Sequence, residues 1–186
     1  FPFQAFNLAY ESAGDEIGDL HLYNSNHVMM ENKKVAYYFS YFPSTKAGKV
    51  KFLPRAGYPV ITNHAQIMFH HHFQNGLNYT LLEAARLRLP IVHNSEFMPE
   101  LGYYYSGANL TAAASQITSA LSHQDRDDLE DYNRQCAKVI EKFWIYNKEN
   151  IRGYQTLIAN LLDSSSEPEL PQYIVDLEDK IDHEDG

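Results

Sequence analysis

Short apolar runs alternate along this chain with stretches whose apolar residues recur at helical spacing. The alternation is clearest between residues 66 and 93, where it predicts a strand at 66–71, a helix over 78–88 and a buried strand at 90–93. Strands and helices that alternate in this way are typical of α/β domains, in which helices flank a mostly parallel sheet. We therefore predict an α/β, Rossmann-like fold with a parallel sheet flanked by helices.

The remaining segments extend this pattern. Apolar spacing and stop signals predict further helices over residues 2–12, 27–39, 59–65, 110–121, 129–143 and 151–162. Short apolar or aromatic runs predict strands at residues 21–23, 50–53 and 103–105. Cys136 falls on the apolar face of the helix over 129–143, so we expect it in the core.

A change in composition marks the end of the predicted domain. Ser164, Ser165 and Ser166 are followed by Pro168 and Pro171, a composition that favours a linker. Residues 163–186 hold nine Asp or Glu residues and a single Lys. We predict one Rossmann-like, ligand-binding α/β domain over residues 1–162 and an acidic, flexible tail over residues 163–186.

The composition excludes several classes of protein. Of the 186 residues, 44% are hydrophobic and 21% are charged, as in ordinary folded domains. The single Cys136 excludes an internal disulfide, so a reducing, cytoplasmic location is the simpler expectation. No apolar run approaches the roughly 20 residues that span a bilayer. Most of the net charge of −9 lies in the acidic tail, which disfavours binding to a nucleic acid polymer.

The loop between the strand at 66–71 and the helix over 78–88 has the features of an anion site. Backbone N–H groups in the first turn of a helix lack helical partners, and the helix dipole adds positive charge there. Gly76 lets a phosphate approach the backbone because it has no Cβ. Farther along, Glu83 carries a carboxylate that can accept two hydroxyl hydrogen bonds and so hold a ribose. The competing interpretation of Glu83 is a solvated helix residue.

Residues 76–92, with their Gly, Leu-Leu-Glu-Ala and Pro-Ile-Val series, resemble the nucleotide-sugar signature of retaining GT-B glycosyltransferases. The resemblance implies that Glu83, the match to the second of two paired Glu residues, binds the donor ribose. The first Glu of the pair is replaced here by Asn75, which forms hydrogen bonds but carries no charge.

A longer resemblance covers about residues 20–160. Asn78-Tyr79, the series Pro-Ile-Val-His-Asn-Ser over residues 90–95 and Leu-Gly-Tyr-Tyr-Tyr over residues 101–105 are similar to the DUF2827 family of glycosyltransferase-like proteins. The two resemblances imply the C-terminal, donor-binding half of a GT-B fold and a nucleoside diphosphate sugar as donor substrate, with no cofactor. They also imply that an N-terminal acceptor domain is missing, which fits a chain that begins at Phe1 within a predicted helix.

The candidate donor-binding residues lie at the ends of the predicted strands, in the loops that follow them and in the helix over 78–88. Arg55 is the candidate cation for the donor diphosphate, as implied by the GT-B resemblance, although a surface cation is the competing interpretation. The full set is Arg55, Asn75, Gly76, Leu77, Asn78, Glu83, His93, Asn94 and Ser95. No catalytic residue is assigned.

Metal binding is the weaker interpretation of the histidine run at residues 70–72, which is better explained as polar lining or as ordinary strand-end histidines. Side chains alternate along a strand, so three consecutive His cannot share one face, and no acidic or Cys partner lies at ligand spacing. We expect no metal site. Two other functions compete with glycosyl transfer: a catalytically inactive module that keeps the nucleotide-sugar site, suggested by Asn75, and an epimerase-like or dehydrogenase-like enzyme. The latter is disfavoured because no G-x-G-x-x-G follows a strand.

Overall fold

A computed structural model of the protein describes residues 1–73, 78–123 and 126–163. Within these ranges the strands are β1 (Leu20–Leu22), β2 (Val50–Phe52), β3 (Met68–His70), β4 (Ile91–His93) and β5 (Tyr103–Tyr104). The helices are α1 (Pro2–Ala13), α2 (Asn26–Glu31), α3 (Lys33–Ser40), α4 (Pro43–Lys46), α5 (Tyr58–His64), α6 (Tyr79–Arg86), α7 (Leu110–Ser122), α8 (Arg126–Lys142) and α9 (Lys148–Leu162). The chain divides into two compact units, one over Phe1–Lys142 and one from Phe143 onward.

All strand pairs in the described part of the first unit are parallel. β1 pairs with β2, and β3, β4 and β5 form a second sheet in that order. Parallel strands require a crossover connection, which α2, α3 and α4 provide between β1 and β2 and α6 provides between β3 and β4, whereas β4 and β5 are joined by the loop over 94–102. The predicted α/β class with parallel sheets flanked by helices is therefore confirmed, in the form of small sheets of two and three strands that are compatible with a Rossmann-like fold.

The core of the first unit forms where α1 packs against α7 and the strands. Phe3 and Phe6 of α1 and Ala113 and Ile117 of α7 are buried in one apolar cluster with Val92 of β4. The small Ala113 side chain permits close approach of the two helices, as packing at protein-interior density requires.

A buried polar contact joins α1 to α4 inside this core. Asn7 accepts hydrogen bonds from the backbone N–H and the hydroxyl of Ser44, at 3.2 and 2.8 Å, and donates to Glu11 at 2.7 Å. Since buried amides are costly when unpaired, the Asn7–Ser44 pair fixes how α4 meets α1.

The opposite side of the unit is built from α6, α8 and β4. Leu81, Ala84 and Ala85 give α6 its buried face, and β4 is buried along its length. Tyr132 of α8 donates its hydroxyl hydrogen to the carbonyl of Leu89, at 2.7 Å. Nearby on α8, Cys136 is buried, which confirms its predicted place in the core.

One predicted helix is wrong in detail. The segment predicted as a single helix over 27–39 forms two helices, α2 and α3, that are separated at Asn32. The Asn32 side chain accepts hydrogen bonds from the N–H groups of Lys34 and Val35, at 3.1 and 3.2 Å. This is the N-cap interaction that starts a new helix, and it requires a non-helical backbone at Asn32.

The second unit is described only through α9. Asn147 caps this helix by accepting a hydrogen bond from the N–H of Glu149, at 2.8 Å. The helix predicted over 151–162 is thus present, with an earlier start. The predicted domain boundary at residue 162 stays a prediction, and the acidic tail from residue 164 lies outside the described residues. Across the described ranges, no helix has the length and apolarity to cross a membrane.

Candidate functional site

The carboxyl ends of β3 and β4 lie side by side. His70 pairs in register with His93, so the loops after both strands leave the sheet at the same edge. Asn94 joins these loops: its side-chain oxygen accepts from the N–H of His72 at 3.0 Å, and its amide nitrogen donates to the carbonyl of His72 at 2.8 Å. The same nitrogen donates to the carbonyl of Gly107 at 3.2 Å, in the loop after β5. One amide thus fixes three loops at the sheet edge.

The predicted site residue Asn78 is the N-cap of α6. Its side-chain oxygen accepts from the N–H of Thr80 at 2.9 Å, and its amide nitrogen lies 3.3 Å from Nε2 of His70. Asn78 therefore connects the start of α6 to the end of β3. Nδ1 of His70 lies in turn 3.1 Å from Nδ1 of His72, so these side chains form one hydrogen-bonded chain.

His93 and Ser95 are engaged within the protein. His93 is fully buried; its Nδ1 accepts from the N–H of Ser95 at 3.1 Å, and its Nε2 hydrogen-bonds to the carbonyl of Leu101. Because Nδ1 accepts, the ring carries its proton on Nε2 and donates to that carbonyl. Ser95 is also fully buried. His93, Asn94 and Ser95, predicted as donor-binding residues, therefore hold the loops in place through contacts inside the chain.

Burial keeps the histidines at this edge neutral. Desolvation, with smaller contributions from His72, His93 and His71, lowers the pKa of His70 to about 4. Burial likewise lowers the pKa of His72 and of His93. Removal from water disfavours the charged imidazolium, and neighbouring imidazoles would repel a second charge. Neutral rings each offer one donor and one acceptor, which a chain of hydrogen bonds requires.

A cavity of about 540 Å³ lies between β1 and β3. Its walls come from Leu20 and Leu22 of β1, Met68 of β3, Phe6 of α1 and Ile61 of α5. In sequence order the strands extend outward on both sides of it, from β1 to β2 and from β3 through β4 to β5. The cavity thus marks the point where strand order reverses, which is where open parallel α/β sheets bind ligands.

Tyr58 brings the loop after β2 to the helix that carries Glu83. Its hydroxyl donates to the carbonyl of Thr80 at 3.3 Å, and the Tyr58 ring also lines the cavity. Burial, followed by the negative charge of Glu83, raises the pKa of Tyr58 to about 12. Arg55 is exposed. It precedes Tyr58 by three residues, so the two backbones lie within roughly 10 Å of each other. Glu83 is exposed as well.

Three predicted site residues, Asn75, Gly76 and Leu77, lie outside the described residues, so their predicted role stays a prediction. The predicted set of site residues omits Tyr58, and it omits His70 and His72, for which the sequence favours polar lining or ordinary strand-end histidines over metal ligands. The signal for the histidines was their place at the end of the strand predicted at 66–71, because ligands bind at the carboxyl ends of parallel strands. Within the described ranges, no group of three or more His, Cys, Asp or Glu side chains is arranged to hold a metal ion.

The comparison with protein families gives a match over most of the chain. A family model described as a protein of unknown function, DUF2827, matches residues 1–158. Curated proteins gave no match. The family match covers both sheets, the cavity between them and the histidine and asparagine residues at the sheet edge. This chain therefore belongs to the DUF2827 family.

Proposed function

We propose that this chain is the donor-binding half of a GT-B-type glycosyltransferase, which binds a nucleoside diphosphate sugar for transfer of the sugar to a hydroxyl acceptor. The observation that carries the proposal is the cavity at the reversal of strand order, with polar loops at the carboxyl ends of the neighbouring strands. Its volume lies in the range of small-ligand sites, and largely apolar walls with a few convergent polar groups are typical of such sites.

The parts of a nucleotide sugar match the chemistry around this cavity. A flat nucleobase suits the apolar part lined by Leu22, Ile61 and Met68. Glu83 is the proposed ribose ligand, since one carboxylate can accept from both ribose hydroxyls. Tyr58 supports this placement, because it lines the cavity and its pKa is raised in part by the negative charge of Glu83.

The diphosphate is assigned to the start of α6 and to Arg55. The helix dipole favours an anion at that helix end, where Asn78 orients the first turn by accepting from the N–H groups of Thr80 and Leu81. Arg55 follows β2 and is exposed, so its guanidinium is free to approach a phosphate in a bidentate manner. Negative charge builds on the departing diphosphate during glycosyl transfer. Donors fixed at that position would stabilise the transition state more than the ground state.

The acceptor hydroxyl and any general base are assigned to a separate acceptor domain upstream of this chain. No side chain of the described residues is given the role of base, because both ring nitrogens of His70 and of His93 and the Nδ1 of His72 are engaged in internal hydrogen bonds.

Calorimetric titration of the chain with UDP, GDP, ADP and TDP tests the proposal. We expect one diphosphate to bind selectively and Glu83→Ala to weaken it by about 10- to 100-fold, the loss expected for hydrogen bonds to a charged acceptor. Arg86→Ala is the matched control, because Arg86 is exposed on the same helix and Ala maintains helix propensity. Equal affinities for wild type and Glu83→Ala, or no binding of any diphosphate, would overturn the proposal.

Arg55 provides a second test. Arg55→Ala should weaken diphosphate binding and make the affinity less sensitive to salt, since it removes one screened charge contact. Arg55→Lys should restore part of the affinity, because it keeps the charge but loses the bidentate geometry. An unchanged affinity and salt dependence in Arg55→Ala would remove Arg55 from the site.

A second candidate function is nucleotide-sugar binding without turnover. The sequence feature that favours it is Asn75, an amide at the position where the GT-B signature has a Glu. Asn75→Glu should then increase donor-sugar hydrolysis or transfer while leaving the diphosphate affinity close to that of wild type. If wild type already transfers sugar and Asn75→Glu changes nothing, the inactive module is excluded.

A further inference from the structure

The hydrogen bonds around Asn78 determine which way its amide is oriented. The N–H of Thr80 donates to one end of the amide, which must therefore be the oxygen. The other end, the NH2 group, faces Nε2 of His70 at 3.3 Å. Since an NH2 group can only donate, Nε2 of His70 accepts and carries no proton in the neutral ring. The proton of His70 is thus on Nδ1.

The same logic fixes the tautomer of His72. Nδ1–H of His70 points at Nδ1 of His72, 3.1 Å away, which must accept. The proton of neutral His72 is therefore on Nε2. That nitrogen is buried, and it has no hydrogen-bond partner among the described residues. The chain of hydrogen bonds that starts at the α6 cap ends in an N–H donor without an acceptor.

Hydrogen bonds to both its backbone and its ring hold His72 in this position. Asn94 bonds the N–H and the carbonyl of His72 with the two ends of one amide, at 3.0 and 2.8 Å. The His70 ring fixes the His72 side chain. Asn94 is itself tied to Gly107. A donor that is oriented by so many contacts, yet unsatisfied, is a feature of binding sites, because buried polar groups are otherwise almost always paired.

We propose that His72 is a ligand-binding residue that donates a hydrogen bond from Nε2 to a phosphate oxygen of the bound nucleotide, with His70, Asn78 and Asn94 as its positioning residues. The proposal rests on the proposed function for the identity of the ligand, and on the hydrogen-bond chain for the direction of the donor. A phosphate oxygen suits the position for two reasons. It only accepts hydrogen bonds, and the adjoining start of α6 favours negative charge.

The first measurement determines the tautomers. Long-range proton–nitrogen NMR spectra of the chain labelled with ¹⁵N-histidine distinguish a ring protonated on Nδ1 from one protonated on Nε2. We expect His70 on Nδ1 and His72 on Nε2 at pH 7, with His93 on Nε2 as an internal reference. The reverse assignment for His70 and His72 would overturn the proposal before any ligand is added, because His72 would then present an acceptor.

The second measurement uses inorganic diphosphate as the probe. Titration should shift the Nε2–H signal of His72 and leave that of His93 in place. His72→Phe should weaken diphosphate binding about tenfold, the loss of one hydrogen bond to a charged acceptor. His72→Gln should recover most of it, since its amide places an N–H near the same point. His27→Phe is the control for the substitution itself, because His27 is exposed on α2.

The outcomes separate this inference from the proposed function. If Glu83→Ala loses nucleotide binding while His72→Phe binds diphosphate as wild type does, only the role of His72 is wrong, and its Nε2–H is satisfied by water. If diphosphate binds through His72 but no nucleoside diphosphate binds more tightly, the anion site stands and the nucleotide-sugar function is wrong. If neither probe binds, both are overturned.

Discussion

Replacing Gly102 by Ala tests how the strand β5 is seated against β4. Gly102 has a φ of +57°, and a Cβ at this position would lie 2.7 Å from the carbonyl oxygen of Ile91 and 3.2 Å from Cε2 of Tyr132. Neither neighbour can move freely, because Ile91 belongs to a buried strand and the Tyr132 hydroxyl donates a hydrogen bond to the carbonyl of Leu89. The added methyl group therefore meets both backbone strain and a steric overlap.

The two costs are separable in magnitude. A left-handed backbone costs a non-glycine residue about 1 kcal/mol. Relieving an overlap in a packed core costs roughly 1–3 kcal/mol more. Gly102→Ala should therefore lower the free energy of unfolding by about 2–4 kcal/mol. Gly107 is the matched control, since it has the same φ of +57° but no described atom within 4 Å of an added Cβ. Gly107→Ala should cost about 1 kcal/mol.

Urea unfolding followed by far-UV circular dichroism measures both variants. Eight of the nine helices in the described residues lie in the first unit and dominate this signal, whereas fluorescence of Trp144 reports the second unit. We expect equal m-values and a lower midpoint for Gly102→Ala than for Gly107→Ala. If the two variants lose the same stability within about 0.5 kcal/mol, the close approach of Gly102 to Ile91 is refuted, and the Gly-Tyr-Tyr-Tyr series owes its glycine to backbone conformation alone.

Three further predictions follow from buried groups. The free energy of unfolding should fall as the pH drops from 6.5 towards 4. Over this range His70 is protonated in the unfolded chain but stays neutral in the folded protein, where its pKa is lowered to about 4. With allowance for its partial exposure this amounts to about 2 kcal/mol, and His70→Gln should flatten the pH dependence in urea titrations; an unchanged slope would contradict the assignment. Tyr132→Phe should cost about 1–2 kcal/mol by leaving the Leu89 carbonyl unpaired, whereas the exposed Tyr146→Phe should cost almost nothing in the same assay. Burial raises the pKa of the Cys136 thiol, so Cys136 should react with a thiol reagent at pH 8 only when urea unfolds the chain, and rapid labelling of the native protein would place it at the surface.

Local signals were sufficient for most of the elements. The α6 helix and the β4 strand follow from apolar spacing and from a short buried run, and both lie within the predicted ranges. Asn32 shows where such signals compete. The apolar spacing continues through Asn32, which predicts an unbroken helix. Its side chain instead caps the following helix, and this cap stabilises a non-helical Asn32 by more than the weak helix propensity of Asn stabilises a helical one.

The site was predicted less completely, because tertiary contacts assign the polar residues their roles. Sequence position placed Asn94 and Ser95 directly after a strand that ends at His93, and Asn78 at the start of a helix, which is where they lie. It did not indicate that His93 is buried with both ring nitrogens engaged, since those partners, Ser95 and Leu101, depend on how two loops fold back. Hydrogen bonds between residues far apart in sequence cannot be inferred from spacing.

What the sequence determined by itself is the α/β class, the order of the main elements and the position of the candidate ligand loops, because these depend on local periodicity and on turn chemistry. The tertiary structure decided which of the polar side chains at the sheet edge hydrogen-bond to one another and which buried atoms of the described residues, Thr45 Oγ1 and His72 Nε2, have no partner. The side chains of Asn94 and His93 form hydrogen bonds that hold loops in place, whereas Nε2–H of His72 has no hydrogen-bond partner among the described residues. That difference arises only when β3 and β4 pair in register and bring two distant loops within hydrogen-bonding distance.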